Sequence, residues 1–322
     1  MLNFAYKYFL KKLLFLFSPE IAHKLVEELL YFFPNNLFKL LFGYKFNPKT
    51  SIKLFNNEIP SPIGLAAGLD KNYKSTPNYL NLGFGFSVVG TVMIDPREGN
   101  PKPRVLRDKS NKELLNALSF PSDGSKAIIK RLNNNPSPKE RLIISISGKS
   151  EEEIIQNLLL FQNYCFAIEI NISSPNTLDL KKFVNKESIN SIISKVRNVT
   201  EIPIFIKLPR ISDLKYYKEI IEPIEKNKNI GVVLSNTLPV EDKRLKVGKG
   251  GRSGQSLFKS TLEILKVVRK SYPNITIICS GGISTPEQVK VLIDEGANAI
   301  QIYTSLVYEG PGLIKGLNNS LK

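Results

Sequence analysis

From about residue 60 onward the chain alternates eight times between a short apolar run and a longer amphipathic stretch, and few architectures use such a sequence. The runs are Ile63–Ala67, Phe86–Gly90, Leu142–Ile146, Cys165–Ile170, Pro203–Lys207, Gly231–Leu234, Ile275–Cys279 and Ala299–Ile302. Several are rich in β-branched residues and bounded by Gly, Pro, Asn or Ser, the pattern of parallel strands buried on both faces. Helical patterns lie between most of them: Glu151–Tyr164, Lys186–Val196, Ser260–Tyr272 and Thr285–Glu295. Eight such units in roughly 255 residues predict an α/β fold, a (β/α)8 TIM barrel, with a doubly wound sheet as runner-up. The stretch Thr91–Asn135 is long for one crossover and predicts an inserted hairpin or loop excursion.

The polar residues fall in phase with this alternation. Strand 1 runs into Ala67-Gly68-Leu69-Asp70-Lys71-Asn72, strand 2 ends in Gly90-Thr91, and strand 3 ends in Ser145. Strand 4 runs into Asn171-Ile172-Ser173-Ser174-Pro175-Asn176-Thr177, and strand 5 ends in Lys207. Strands 6, 7 and 8 deliver Ser235-Asn236-Thr237, Ser280-Gly281-Gly282 and Tyr303-Thr304. All eight ends carry an amide, hydroxyl, ammonium or glycine, which argues for one site at the C-terminal mouth of a barrel. Ser280-Gly281-Gly282, followed by Thr285-Pro286-Glu287 opening a helix, suits an anion or phosphate; taken alone, the Gly-Gly pair reads equally well as a tight turn. The second glycine stretch, Gly248-Lys249-Gly250-Gly251-Arg252-Ser253-Gly254, reads as a loop that covers a cofactor or simply lies on the surface. Lys71 and Lys207 are candidates to form Schiff bases or to stabilise developing negative charge; singly, each also reads as a solvated strand end.

Composition removes several chemistries. The chain has 322 residues, one histidine and two cysteines. A zinc site needs about four ligands, so no metal is expected, and His23 near the N-terminus does not suit a Ser-His-Asp triad. Cys165 and Cys279 lie in apolar runs and read as buried. The net charge of +16 is compatible with a nucleic acid, an anionic membrane, or compositional bias alone, and the even spread of lysines favours bias.

The first 44 residues differ from the rest. They hold eight Phe and four Tyr, 12 of the chain's 30 aromatics. FAYKYFLKKLLFLF (Phe4–Phe17) precedes Ser18-Pro19, a helix start that predicts a second helix to about Phe33, stopped by Pro34 and followed by a short amphipathic piece, Asn36–Phe42. Nothing here is long enough to span a bilayer. Two readings stand: helices packed on the main domain, or an interfacial module on a membrane. The expected organisation is an amphipathic segment at 1–44 and a barrel at 45–322.

NISSPNT (Asn171–Thr177), LAAGLDKN (Leu65–Asn72), GFGFSVVGTV (Gly83–Val92) and QIYTSLVYEGP (Gln301–Pro311) resemble dihydroorotate dehydrogenase. EGNPKPR (Glu98–Arg104), SNT (Ser235–Thr237), GGRSG (Gly250–Gly254) and SGGI (Ser280–Ile283) support the resemblance, which covers essentially the whole chain. It implies an FMN-containing barrel that oxidises dihydroorotate to orotate in pyrimidine synthesis. Ser174 and the aromatic extension resemble the membrane-associated, quinone-reducing class 2, whereas class 1 uses cysteine and lacks the extension. The implied partners are dihydroorotate, a quinone and the cytoplasmic side of the cell membrane, bound peripherally, with no nucleic acid.

The resemblance also implies residue roles. Ser174 would be the base at C5. Lys71, Asn116, Asn171, Asn176, Asn236 and Thr237 would hold the substrate, with Ala117, Leu118, Ser119 and Phe120 in the same loop as Asn116. Ala67, Gly68, Thr91 and Ser235 would line the flavin ring, with Lys207 at its N1/O2 edge, and Leu69, Asp70, Lys71, Ser145 and Asn171 would also bind the cofactor. Gly254, Gly282, Tyr303 and Thr304 would receive the FMN tail. Thr177 and Phe120 would shape the proton relay around Ser174. The chain departs from the family where Asn116-Ala117-Leu118-Ser119-Phe120 replaces the usual Asn-Arg-Met-Gly-Phe, where serine (Ser145 or Ser147) replaces an asparagine on strand 3, and where Arg252 replaces a leucine. Alternatives are the same reaction with a soluble acceptor, an FMN-dependent tRNA dihydrouridine synthase, or a Schiff-base aldolase on Lys207 or Lys71.

Overall fold

The computed structural model describes residues 6–173 and 183–321. Eight parallel strands close into a barrel: β1 (Ile63–Leu65), β2 (Phe86–Val92), β3 (Leu142–Ile146), β4 (Ala167–Asn171), β5 (Ile204–Lys207), β6 (Ile230–Leu234), β7 (Ile277–Ser280) and β8 (Ala299–Ile302). Strands follow one another in sequence order around the ring, and β8 closes it by pairing with β1, Ile300 beside Ile63. All the predicted strands exist: β3 and β8 have the predicted bounds, and the other six differ by one or two residues at an end. One such shift leaves Cys165 outside β4, because the ladder with β3 begins at Ala167.

The apolar residues divide between two layers. Phe86, Val88, Phe205, Val233 and Ile278 form one cluster with Leu54 and Ile59, the inward residues of a hairpin (Ile52–Leu54 with Asn57–Ile59). The alternating residues, such as Val89, Ile144 and Ile168, join the outer helices in a larger core. Each fully buried side chain of this size contributes roughly 1.5–3 kcal/mol. Helix starts follow the sequence signals: Ser150, Asn185 and Thr285 cap their helices, and Thr285 with Gln288 forms a reciprocal capping box.

The excursion after β2 is a hairpin, Val105–Asp108 with Glu113–Asn116. The glycine stretch expected to be a loop is instead a strand, Lys249–Gly254, which pairs with Glu113–Asn116 on one edge and Leu238–Glu241 on the other. Small residues there let two segments distant in sequence approach over the barrel mouth: a Cβ on Gly250 would sit 2.6 Å from Asn116 O.

The N-terminal residues form a turn of π-helix (Tyr6–Leu10), a helical turn (Lys11–Leu14) and two helices, α1 (Pro19–Phe32) and α2 (Asn35–Phe42). They are docked on the barrel. Glu28 and Glu27 pair with Lys74 at 2.8 and 3.5 Å, Glu20 with Arg104 at 2.9 Å, and Lys7 with Glu309 at 3.1 Å. Tyr6 Oη donates to Val307 O at 2.6 Å, Arg107 donates to Phe17 O at 2.7 Å, and its guanidinium lies over the Phe15 ring. The opposite face is bare: Leu16 is 81% exposed, Leu40 80% and Phe32 75%. Among the described residues no helix is long and apolar enough to cross a membrane.

Candidate active site

A cavity opens at the C-terminal mouth of the barrel, where the strand ends converge. Ala67, Gly68 and Lys71 line it after β1, Thr91 at the end of β2, and Asn171 and Lys207 at the ends of β4 and β5. Ser235, Asn236 and Thr237 follow β6, Gly282 follows β7, and Tyr303 and Thr304 follow β8. The hairpin and its glycine partner supply Asn116, Leu118, Ser119, Phe120 and Gly254 as a roof. Ser119 and Phe120 both have positive φ (56° and 55°), and Arg97 donates to Ser119 Oγ at 3.0 Å. Such consecutive strained backbone persists only where its surroundings hold it, and it is concentrated at functional sites. Ser174, Asn176 and Thr177 lie outside the described residues.

Four predicted site residues stand behind the wall. Asp70 is buried, and its carboxylate accepts from the backbone N–H groups of Lys74, Ser75 and Thr76 and from Thr76 Oγ1, so it anchors the start of the Thr76–Asn81 helix. Leu69 packs in the outer core. Ala117 is buried, its N–H donating to Arg104 O and its carbonyl accepting from Asn100. Ser145 is fully buried one step below Thr91, and it is Ser145 rather than Ser147 that meets the Thr91 hydroxyl; Ser147 donates to Asn171 O.

The cavity floor is a hydrogen-bonded chain. Asn236 Nδ2 donates to Asn171 Oδ1 at 3.3 Å and to Ser173 Oγ at 3.1 Å; Asn171 Nδ2 donates to Thr91 Oγ1 at 2.9 Å. Thr91 meets Ser145 at 3.0 Å, and Ser145 donates to Glu169 at 2.8 Å. Lys207 Nζ lies 3.5 Å from the same carboxylate. Neither Glu169 nor Gln301, which lines the cavity from β8, was singled out from the sequence; the available signal was a polar residue inside an otherwise apolar strand.

Over β7, Gly281 and Gly282 have φ of 119° and 82°, and a Cβ on Gly282 would lie 2.2 Å from Phe258 N. Only glycine fits there, and the exposed backbone N–H groups make a cradle suited to an anion. Gln301 Oε1 and Ser305 Oγ are buried along this cavity with no hydrogen-bond partner among the described residues. Buried polar atoms of that kind call for a ligand or water.

A second cavity, apolar and about 1450 Å³, separates the N-terminal helices from the barrel. Leu14, His23, Leu30, Phe33, Arg104 and Arg107 line it, and Lys71 and Tyr303 line both cavities. Burial, with Lys71 and Lys74 nearby, pushes the His23 imidazole down to about 3, so it is neutral. Burial lowers the pKa of Lys71 against the opposing pull of Glu27, Asp70 and Glu20, and raises the Tyr303 phenol to about 12. Both cysteine thiols are buried and pushed up to about 12, which leaves them unreactive. Among the described residues no cluster of His, Cys, Asp and Glu is placed to hold a metal.

The family model for dihydroorotate dehydrogenase matches residues 49–322. A dihydroorotate dehydrogenase (quinone) of Nitratiruptor sp. is 34% identical over 97% of this chain and 93% of its own length. One from Christiangramia forsetii is 31% identical over 98% of both chains. Among solved structures, ligand-free DHODH from Eimeria tenella superposes with a TM-score of 0.84 at 26% identity, covering 94% of each chain. The same enzyme in complex with ferulenol gives the same score over 94% of this chain and 90% of that one.

Proposed function

The chain belongs to the dihydroorotate dehydrogenase family, and on that premise we propose that its barrel-mouth cavity holds FMN and dihydroorotate while the second cavity admits a quinone from a membrane surface. The activity is oxidation of dihydroorotate to orotate in pyrimidine biosynthesis. The observation that carries the site reading is the convergence of Lys71, Asn116, Asn171, Asn236 and Lys207, from five separate stretches of chain, on one cavity.

The residues present suit a flavin mononucleotide. The Gly281–Gly282 cradle takes a phosphate, and Gln301 Oε1 and Ser305 Oγ, which have no partner among the described residues, offer further polar contacts along the cavity. When bound, the flavin supplies the hydride acceptor for C6 of the substrate and relays two electrons to the quinone. The balance is dihydroorotate plus quinone giving orotate plus quinol.

Lys71 meets the substrate carboxylate, and burial makes that ion pair strong by excluding competing water. The amides of Asn116, Asn171 and Asn236 each offer a donor and an acceptor, matching a ring of alternating N–H and C=O groups. Ser174 removes the C5 proton. A hydroxyl is a poor base at neutral pH, so the proton must leave along a relay as the hydride departs. Lys207 presents positive charge where negative charge develops on the flavin.

The quinone reading is supported by the six residues common to both cavities, Lys71, Val105, Leu114, Leu118, Pro121 and Tyr303, and by the bare apolar face of the N-terminal helices. Such a face, with Lys12 and Lys24 beside it, suits the headgroup boundary of a membrane on its cytoplasmic side. An FMN-dependent tRNA dihydrouridine synthase would need a reactive cysteine, which neither buried thiol provides.

The test is anaerobic stopped-flow on the flavin-loaded protein. Dihydroorotate is expected to bleach the flavin in the native enzyme, with Ser174→Ala slowed at least 100-fold while still loaded. Unimpaired bleaching in that variant would remove Ser174 from the mechanism, and absence of flavin from the native protein would remove the reading itself.

A further inference from the structure

Glu169 is the fully buried carboxylate at the foot of the active-site cavity. It stands on β4, two residues before Asn171 and therefore on the same face of the strand. Its contacts cross the lumen. Gln301 Nε2, from β8 on the far side of the ring, donates to it at 3.1 Å; Lys207 Nζ, from the neighbouring β5, lies 3.5 Å away; and Ser145, from β3, donates at 2.8 Å. Lys207 is itself only 6% exposed, and Glu169 is the carboxylate within ion-pair distance among the described residues.

Two consequences follow from this placement. The first concerns charge: an ammonium and a carboxylate at 3.5 Å in a water-poor lumen offset one another, so Lys207 offers the cavity less than a full unit of positive potential. The second concerns direction. Ser145 has one hydroxyl hydrogen, and it goes to Glu169. Thr91 must then donate to Ser145, which leaves the Thr91 oxygen to accept from Asn171 Nδ2. Asn171 therefore presents its Oδ1 to Asn236. One buried carboxylate, which can only accept, orients a chain of four polar side chains.

We propose that Glu169 is a positioning residue that sets the redox poise of the bound flavin by offsetting Lys207, and that it fixes the donor direction of Ser145, Thr91, Asn171 and Asn236. This rests on the flavin reading above. No electron or proton is added to the reaction; the carboxylate changes only the relative free energies of the oxidised and reduced cofactor. Its charge opposes the accumulation of negative charge at the Lys207 side of the pocket and so holds the potential down.

The experiment measures the midpoint potential of FMN bound to the full-length protein, by anaerobic dye equilibration. Glu169→Gln keeps the shape and removes the charge. It is expected to raise the two-electron reduction constant by about tenfold or more, about 30 mV in the positive direction, and to tighten the flavin–sulfite adduct in parallel. Ser145→Ala removes a hydrogen bond from the same carboxylate without changing charge, and its potential is expected to move less than a third as far. If Glu169→Gln alone does not load flavin, the comparison of Lys207→Met with Lys207→Met/Glu169→Gln reads the same quantity, since the double variant leaves neither charge stranded. Adding Glu169→Gln to Lys207→Met is again expected to move the potential positive. A potential that stays still or moves negative on loss of Glu169, or an equal shift in Ser145→Ala, would overturn the proposal. Native protein that binds FMN and is bleached by dihydroorotate keeps the site reading intact in either case; native protein that does neither defeats that reading instead.

Discussion

His23 makes the docking of the N-terminal helices sensitive to acid. The imidazole faces the second cavity from α1, and burial with Lys71 and Lys74 nearby brings its pKa from 6.5 to about 3. Below pH 6.5 the unfolded chain binds a proton that the folded chain refuses. Stability from this group is therefore fully present above pH 6.5 and is lost progressively as the pH falls toward 3. At pH 5.0 the loss amounts to about 2 kcal/mol, because the unfolded imidazole is then almost fully charged and the folded one still neutral. At pH 7.5 it is close to zero. His23→Gln keeps a polar, uncharged side chain of similar reach and abolishes the linkage. Urea titrations followed by circular dichroism on both proteins at pH 7.5 and 5.0 give four free energies. The native protein is expected to lose about 2 kcal/mol more than the variant between the two pH values. Parallel losses would refute the argument, since every other titrating group is common to both proteins.

Other outcomes are open to direct measurement. Gly282→Ala places a methyl against Phe258 N at a φ of 82°, so the purified protein is expected to lose most of its bound flavin, read by absorbance at 450 nm after desalting. Changing Leu16, Phe32 and Leu40 together to Glu is expected to release the protein from anionic vesicles in a flotation assay while leaving flavin bleaching by dihydroorotate unchanged. Arg104→Met strands Glu20 and removes donors to Glu98 O and Asn100 O; it is expected to cost about 3 kcal/mol in urea unfolding and to raise the KM for quinone rather than for dihydroorotate.

The barrel was legible in the sequence because parallel strands buried on both faces demand uninterrupted apolar runs such as LIISI and IGVVL, and eight of them recur in alternation with helical stretches. The mouth was legible because each strand ends in a polar residue. Contacts between segments far apart were not. Lys249–Gly254 reads as a loop by its glycines, and only its pairing with Glu113–Asn116 makes it a strand. Asp70 sits in a motif that points to the cofactor, yet its carboxylate turns to four donors at the start of the helix beside it. The partnership of Glu169 with Lys207 was hidden because it depends on the register of β4 against β5, which pairs Asn171 with Lys207 and which no local pattern encodes.

The attachment of the first described residues to the last helices has a consequence for synthesis. Tyr6 bonds Val307, Lys11 bonds Tyr308 and Lys7 pairs with Glu309, separations of about 300 residues. At ribosomal speeds the early segment waits roughly 15–60 s for those partners to be made. Throughout that interval both of its apolar faces are uncovered, the one later turned outward and the one destined for the barrel. The segment made first is therefore among the last to gain its partners, and its docking contacts can close only after nearly the whole chain has been made.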